Sequence, residues 1–273
     1  MKNKKFLIYL NLLLVIQVLF VEFISNYPAI IEKYYSNLVY PFTSKLLRIL
    51  FGWIPFSIGD LFIGVIVFGF LRWLYKLIKN KFKDYKIKLL TLTAYISLIY
   101  SCFYWFWGFN YFREPLATNL GLKQHKYTTE QLTKVAQKIT LDFNTVHLKL
   151  VKNDSLILVN PYNQHEMYLK SMAGYQNLSK SYPQLAYQYK SVKSSLMSLV
   201  QTYNGTSGYL NPLTGEAQVN DRIPKTGYPT TICHEMAHQI GFAAENEANF
   251  IGYLAALSND DLYFKYAAYR MAF

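Results

Sequence analysis

Three residues with metal-binding and acid–base side chains stand close together in the sequence: His234, Glu235 and His238, in the order His-Glu-x-x-His. In a helix, positions i and i+4 lie on the same face, so both imidazoles can reach one divalent cation. Glu235 is then placed beside the water that such a cation activates. Two imidazoles and one further acidic ligand would leave a coordination position open, and the pattern therefore predicts a Zn²⁺ centre suited to hydrolysis.

Two glutamates, Glu245 and Glu247, follow the histidines closely enough to supply the third ligand. Gly241 is suited to end the histidine helix in a left-handed turn, which would bring the next segment back toward the metal. If that segment is helical, the two glutamate side chains project from different faces. We favour Glu245, because Asn249 lies four residues later on the same face and can hydrogen-bond a ligand histidine. Glu247 is the alternative metal ligand.

Other reactive side chains receive no role in the predicted site. His165 and Glu166 open a second His-Glu-Met run, but Leu169 stands where the second histidine should be, so this run cannot chelate a metal. Cys102 lies inside an apolar run and Cys233 directly precedes the first histidine, so we predict no disulfide. A donor for the transition-state oxygen is not assigned among the residues that could supply one, which are Tyr209, Arg222, Tyr228 and His165.

The composition is typical of a membrane protein with a water-exposed part, because 52% of the residues are hydrophobic and the formal charge is +12. Three apolar runs, residues 6–24, 53–75 and 89–109, are each long enough to cross a hydrocarbon core as a helix, which takes about 20 residues. The first run is preceded by lysines but lacks a small-residue cleavage site, so we interpret it as an uncleaved anchor. Glu22 and Asp60, near the ends of runs, are expected to face water or lipid headgroups.

The positive charges are concentrated in this membrane region, where residues 1–109 hold 13 Lys and Arg against 4 Asp and Glu. Most of these cations lie at the N-terminus and between the second and third runs, and the positive-inside rule makes both segments cytoplasmic. We therefore expect a multi-pass protein of the cytoplasmic (inner) membrane, with its N-terminus inside and residues 110–273 outside. The lipid bilayer is the expected partner of these cations, and no nucleic acid is expected. Trp107 is interpreted as part of an interfacial aromatic belt.

Residues 110–273 are predicted to form one mainly helical, extracytoplasmic domain with a small sheet, which makes the chain an α+β protein with three transmembrane helices. A helix is expected to begin at Thr128 or Thr129, whose surroundings resemble a capping box. Residues 148–159 alternate and then run apolar, which favours a strand or a short hairpin. Residues 179–203 are expected to be mostly helical.

An extended run is predicted at residues 216–220, ahead of the histidine helix. It is interpreted either as an edge strand that pairs with a peptide substrate or as a plain edge strand that ends the sheet. Two prolines then keep the chain non-helical until Thr230 or Thr231, and one of these threonines is expected to cap the histidine helix.

The stretch from Glu245 to Asn249, Glu-x-Glu-Ala-Asn, is similar to the helix that supplies the third zinc ligand in the gluzincin peptidases. That resemblance implies a zincin-like fold in which His234, His238 and Glu245 bind Zn²⁺. It further implies Glu235 as the catalytic base and Asn249 as a hydrogen-bonding partner of a ligand histidine.

A second resemblance is carried by five segments: Tyr34-Tyr35, Tyr40-Pro41, Gly52 to Asp60, Trp107 to Tyr111 and Cys233 to Phe242. Through these segments, nearly the whole chain resembles a bacterial membrane family known as domain of unknown function 3810, which is thought to be peptidase-like. Members of that family usually run further at the C-terminus, so the resemblance implies a chain that is short at this end.

These features together predict a membrane-anchored zinc metallopeptidase that hydrolyses peptide bonds of envelope or membrane proteins. The alternative is a catalytically inactive zinc-binding scaffold that recognises a protein partner at the envelope. A purely structural zinc site usually has four protein ligands and has no need of Glu235, which favours the peptidase. A transporter component is disfavoured, because the apolar runs lack a series of buried ionisable residues.

Overall fold

The computed structural model of the protein describes residues 2–122, 126–151 and 153–273. The described part is mainly helical with one three-stranded sheet, as the sequence predicts. Three of its helices are long and apolar enough to cross a membrane by length and composition. They are α1 (Lys2–Ile24), α4 (Ile58–Lys79) and α5 (Tyr85–Phe106).

The ends of α4 and α5 differ from the ends of the apolar runs 53–75 and 89–109 that predicted these two helices. Helix α4 begins only at Ile58, because the Ser57 side chain accepts a hydrogen bond of 3.0 Å from the Asp60 amide and caps the first turn. Helix α5 ends at Phe106, where the backbone leaves the helical region at Trp107 (φ −158°). A buried 3-10 helix, Gly108–Phe112, follows and crosses the predicted boundary between the two domains.

The segment between α1 and α4 is helical. It consists of α2 (Pro28–Ile30), a π-helix (Ile31–Val39) and α3 (Tyr40–Gly52). Its buried side chains form a cluster with residues from α1, from the 3-10 helix and from the region of the histidines. The members of this cluster are Val21, Ile31, Tyr35, Tyr40, Trp107, Phe109, Leu210 and Ala243.

The C-terminal region is built from seven α-helices and three short strands in the described part of the chain. In chain order these are α6 (Leu116–Asn119), α7 (Thr129–Leu150), α8 (Gln164–Ser181), β1 (Val192–Ser194), α9 (Ser198–Asn204), β2 (Gly208–Asn211), β3 (Glu216–Val219), α10 (Tyr228–Gln239), α11 (Glu245–Leu257) and α12 (Leu262–Ala272). The core of this region surrounds α10, where Ile232, Cys233 and Met236 are completely buried. Each such apolar side chain contributes about 1.5–3 kcal/mol through its removal from water.

The sheet has the order β1-β3-β2, so the strand that precedes α10 lies in its centre. Strand β3 pairs in parallel with β1, Val192 facing Ala217, and antiparallel with β2, Leu210 facing Ala217. The extended run predicted at 216–220 is confirmed, but both interpretations of it as an edge strand are wrong, because β1 and β2 occupy the two edges.

Two other secondary-structure predictions are wrong. Among the described residues of 148–159, none lies in a strand, because α7 continues to Leu150 and the chain then turns. Residues 179–203 are only partly helical and contain β1. The helix predicted near Thr128 is confirmed, since Thr128 and Gln131 exchange hydrogen bonds of 3.2 and 2.9 Å as a capping box.

Candidate metal centre

Helix α10 carries the His-Glu-x-x-His residues. The helix begins at Tyr228 after Gly227, with Pro229 in its first turn, where a missing amide hydrogen costs no hydrogen bond. The prediction that Thr230 or Thr231 caps this helix is therefore wrong. Both threonines lie inside the first turn, and their hydroxyls donate to the Gly227 carbonyl at 2.9 and 3.3 Å.

The two histidine rings of α10 meet at their Nε2 atoms, which lie 3.1 Å apart. His238 Nδ1 lies 2.7 Å from the Phe242 carbonyl oxygen, and a carbonyl only accepts. The proton therefore sits on Nδ1, and the Nε2 lone pair of His238 points at the shared space. Burial, followed by the neighbouring His238, lowers the pKa of His234 to about 4, so its ring stays neutral near pH 7.

Glu245 reaches these rings from the start of α11. Gly241 turns the chain back with φ +95°, as predicted, and a Cβ atom there would lie 2.9 Å from the Tyr40 ring. The Glu245 carboxylate oxygens lie 3.3 Å from His234 Nε2 and 3.6 Å from His238 Nε2. The three residues offer ligand atoms that all lie within 4.8 Å of one another.

This donor set fits a tetrahedral cation. Ligand bonds of about 2.0–2.1 Å at tetrahedral angles place donor atoms about 3.3 Å apart. The two histidine Nε2 atoms lie 3.1 Å apart, and distances of 3.3 and 3.6 Å join them to the two different oxygens of Glu245, so all three distances are close to that spacing. Two neutral imidazoles and one carboxylate are the protein ligands that hydrolytic zinc sites use, with the fourth position left open.

Glu235 lies beside this cluster with 3% of its surface exposed. Burial raises the pKa of Glu235 well above its usual value, and the Glu245 carboxylate raises it further. Its Oε2 atom has no hydrogen-bond partner among the described residues. Strand β2 covers the carboxylate from above, and a Cβ atom on Gly208 would lie 2.6 Å from Glu235 Oε1. The backbone of β2 therefore passes closely over the predicted base.

Glu247, the alternative ligand, does not join the histidines. Its Oε1 atom accepts a hydrogen bond of 2.7 Å from the Leu116 amide at the start of α6. Two residues along a helix rotate a side chain by about 200°, which turns Glu247 away from the face of Glu245. Asn249 lines the same cavity as His234, and its side chain acts to raise the pKa of that ring. His234 Nδ1 has no partner at full hydrogen-bonding geometry in the described chain, so the hydrogen bond from Asn249 stays a prediction.

The last carbonyl groups of α10 are held by side chains that lie more than 100 residues earlier in the chain. The Tyr40 hydroxyl donates to the His238 and Gln239 carbonyls at 3.2 and 3.0 Å, and the Ser44 hydroxyl donates to Gln239 at 2.8 Å. The Trp107 indole donates to the His238 carbonyl at 3.1 Å and is buried. The assignment of Trp107 to an interfacial belt is wrong, because the indole fixes the helix end that carries His238.

The start of α4 is tied to the sheet by buried charges. Asp60, expected at a water or headgroup interface, is 4% exposed and accepts hydrogen bonds from the Leu196 amide at 2.7 Å, from Ser195 Oγ at 3.0 Å and from the Tyr209 hydroxyl. Glu216 is fully buried, accepts a bond of 2.6 Å from the Gly59 amide and pairs with Lys193. That expectation for Asp60 is therefore wrong.

Two cavities meet at the predicted metal site. One, of about 550 Å³, has a mixed lining that includes the polar residues Thr206, Arg270 and Asn249 and the apolar residues Ile223 and Met271. The other, of about 500 Å³, has a mainly apolar lining that includes Ile66 and Phe103. Both cavities share the lining residues Gly208, His234, Glu235 and Glu245. The site thus lies in the middle of a continuous cleft.

Most of the side chains considered as oxyanion donors are engaged or lie elsewhere. The Tyr228 hydroxyl pairs with Tyr168 at 2.6 Å, and the Tyr209 hydroxyl donates to Asp60. His165 is exposed at the start of α8, where Glu166 and Asn163 form a capping box. Sequence reasoning did not single out Tyr111, which lines the apolar cavity with His238 and Glu245.

Comparison with protein families matches residues 35–273 to the family described as "Protein of unknown function (DUF3810)". No curated protein and no solved structure matches the chain.

Proposed function

We propose an activity for this chain, which belongs to the DUF3810 family: it is a membrane-anchored, zinc-dependent metallopeptidase that hydrolyses peptide bonds of envelope or membrane proteins. The proposal rests on one observation. The Nε2 atoms of His234 and His238 lie 3.1 Å apart, and the carboxylate oxygens of Glu245 lie 3.3 and 3.6 Å from them. The cleft that holds these atoms also contains the buried Glu235.

The cation in this proposal is Zn²⁺, held by His234, His238 and Glu245. When bound, it polarises the scissile carbonyl and lowers the pKa of the attacking water to about 7. The hydrogen bond from His238 Nδ1 to the Phe242 carbonyl keeps the ring oriented for this role.

Glu235 acts as the general base. It accepts a proton from the attacking water and passes it to the nitrogen of the departing amine. The backbone of β2 at Gly208, which lines the cleft, passes close to the Glu235 carboxylate and limits the room around it.

Strand β2 is the element that would orient the substrate. It is an edge strand of the sheet, and Gly208, Tyr209, Leu210 and Asn211 all line the apolar cavity. An extended peptide can add to such an edge by main-chain hydrogen bonds. This assigns to β2 the part that sequence reasoning gave to residues 216–220.

The location we propose is the cytoplasmic membrane, with the zincin-like part of the chain on the outer side. Lysines and arginines are concentrated at the N-terminus and from Arg72 to Lys88, around the link between α4 and α5, and the positive-inside rule makes both segments cytoplasmic. The metal centre lies at the other end of α4 and α5, close to Ile58 and Phe106.

The test is zinc content and cleavage of fluorescein-labelled casein by the full chain in detergent, for the parent and for Glu235→Gln. We expect the variant to retain zinc and to cleave at least 10²-fold more slowly, because general-base catalysis contributes about 10²–10⁴-fold. Glu247→Gln, which alters a glutamate outside the cluster, should cleave like the parent. Zinc binding without cleavage by the parent would favour the scaffold, and undiminished cleavage by Glu235→Gln would refute the assignment of the base.

A further inference from the structure

The apolar cavity beside the metal centre has its walls on two membrane-length helices. Ile63 and Ile66 of α4 and Ile99 and Phe103 of α5 line it together with Trp107. Strand β2 and the two histidines close its other end. One continuous space therefore connects the site with the region between α4 and α5.

The depth of this space follows from helix geometry. Ile66 lies eight residues after Ile58, the first residue of α4, which corresponds to about 12 Å along a helix with a rise of 1.5 Å per residue. Ile99 lies seven residues before Phe106, the last residue of α5, at a similar depth of about 10 Å. If α4 and α5 cross a bilayer, the apolar arm reaches well into the hydrocarbon region.

The arm is open toward the expected lipid. Helices α1 and α5 pack against each other, with a hydrogen bond of 2.9 Å from Asn11 to the Leu90 carbonyl. In contrast, none of the apolar window of α4 is buried within the protein. A molecule that is dissolved in the membrane can therefore approach the arm from the side.

The other arm of the cleft has a mixed lining. Thr206, Thr230, Thr231 and Arg270 line it together with Ile223 and Met271, and its hydroxyl and guanidinium groups suit a hydrated, extended chain. The two arms meet at Gly208 and the metal cluster. The lining of the cleft thus changes from mainly apolar to mixed, with a cationic side chain, at the site where hydrolysis is proposed.

We infer that the substrate is a polypeptide anchored in the bilayer by an apolar segment, cut where that segment leaves the membrane. The apolar segment occupies the arm between α4 and α5, and the polar part of the substrate leaves through the other arm. The occupant is a polypeptide rather than a lipid, because the arm runs along β2, whose main-chain groups complement an extended peptide. Hydrolysis breaks one C–N bond, and one water supplies the hydroxyl of the new carboxyl group and the proton of the new amine.

This inference rests on the proposed peptidase activity, and the experiment separates the two. The full chain is reconstituted in phosphatidylethanolamine–phosphatidylglycerol vesicles with a fluorogenic library of random polar decapeptides. The library is supplied free, fused to a 20-residue leucine–alanine segment, or attached to a palmitoyl chain. We expect the fused library to be cleaved at least tenfold faster than either other form, with product masses that place the cut beside the apolar segment.

The matched variants are Ile66→Trp, which fills the apolar arm, and Val65→Trp, which places the same bulk on an exposed position of α4 outside the arm. We expect Ile66→Trp to lower the ratio of fused to free cleavage at least tenfold, and Val65→Trp to leave that ratio unchanged. Equal rates for free and fused libraries, or equal ratios in both variants, would overturn the substrate class while leaving the peptidase proposal intact. Equal rates for the palmitoylated and fused libraries would overturn the choice of a polypeptide. Absence of both zinc binding and cleavage would instead refute the proposed function.

A second measurement does not depend on the folding of Ile66→Trp. A photo-reactive leucine in the fused apolar segment should cross-link to α4 and α5 in the Glu235→Gln variant. Cross-links confined to α1, or to the outer surface of α7, would contradict the assignment of the arm.

Discussion

At the scale of single residues, the structure gives Glu245 and Glu247 different roles: Glu245 is the candidate metal ligand, and Glu247 has a structural hydrogen bond. The Glu245 carboxylate lies 3.3 Å from His234 Nε2, whereas Glu247 caps a backbone amide of α6. Glu245→Gln should therefore weaken zinc affinity by at least 10²-fold, since an amide replaces an anionic ligand. Glu247→Gln keeps an oxygen for the Leu116 amide and should change zinc affinity by less than threefold. Competition with a fluorescent chelator measures both, and the reverse order of affinities would exclude Glu245 as the ligand.

The residues of the candidate site differ in how far a sequence reveals them. His234, Glu235 and His238 follow from spacing alone, because i and i+4 share a helix face. The preference for Glu245 came from the same periodicity. Asp60 and Trp107 were misassigned, because their partners lie more than 100 residues away in the chain. A single sequence carries no signal for such pairings.

At the scale of elements, α10 depends on groups outside itself for the orientation of its C-terminal turn. The Tyr40 hydroxyl bonds two of the final carbonyls. Tyr40→Phe keeps the ring but removes these bonds, and it should lower stability by about 1 kcal/mol. The melting temperature of the detergent-solubilised chain should fall by about 2–4 °C. Tyr34→Phe, on an exposed ring of the π-helix that precedes Tyr40, is the control and should leave the melting temperature unchanged.

The start of α12 is held by hydrogen bonds to the Asp261 carboxylate, and their strength depends on pH. Burial alone would raise the pKa of Asp261, but hydrogen bonds from Lys170 and Tyr162 outweigh it and keep this pKa below its usual value. A lowered folded-state pKa gives stability above the unfolded value of about 3.9, and that stability is lost as the pH falls through the folded value. Asp261→Asn should therefore melt below the parent at pH 7, and the two should converge near pH 3. Asp260→Asn, at the exposed neighbouring position, should follow the parent at every pH.

The predictability of the elements followed their length and regularity. The long apolar helices and α7 are periodic over many turns, so their existence was predicted and only their ends differed. The strands are three or four residues long, and a short apolar run cannot be told from a helix by periodicity. This ambiguity explains two wrong predictions. Residues 148–150, predicted as part of a strand, form the end of α7, and Val192–Ser194, predicted as helical, forms β1.

At the scale of the whole molecule, the membrane-length helices and the candidate metal centre form one unit. The segments that carried the family resemblance, including Tyr40, Asp60 and Trp107, converge on α10 and on the sheet. The buried cluster of Val21, Tyr35, Phe109 and Leu210 joins the end of α1 to β2. The predicted division of the chain into two domains at residue 109 follows the change in hydropathy. The packing and the hydrogen bonds around the candidate site join residues from both sides of that division.

The same convergence fixes the relative direction of the three membrane-length helices, and it yields a prediction for the whole chain. The end of α1, the start of α4 and the end of α5 all lie near the candidate metal centre, so the link at residues 80–84, with the cations of residues 72–88 around it, lies at the opposite end. With that link inside, Tyr203, which is 86% exposed, must lie outside. In intact cells, a membrane-impermeant maleimide should label Tyr203→Cys, and it should label Lys83→Cys only after permeabilisation. The parent, whose Cys233 is buried and whose Cys102 lies within α5, is the background control. Labelling in the reverse order would place the candidate metal centre in the cytoplasm. That result would refute the proposal of envelope substrates but would not contradict the proposed zinc chemistry.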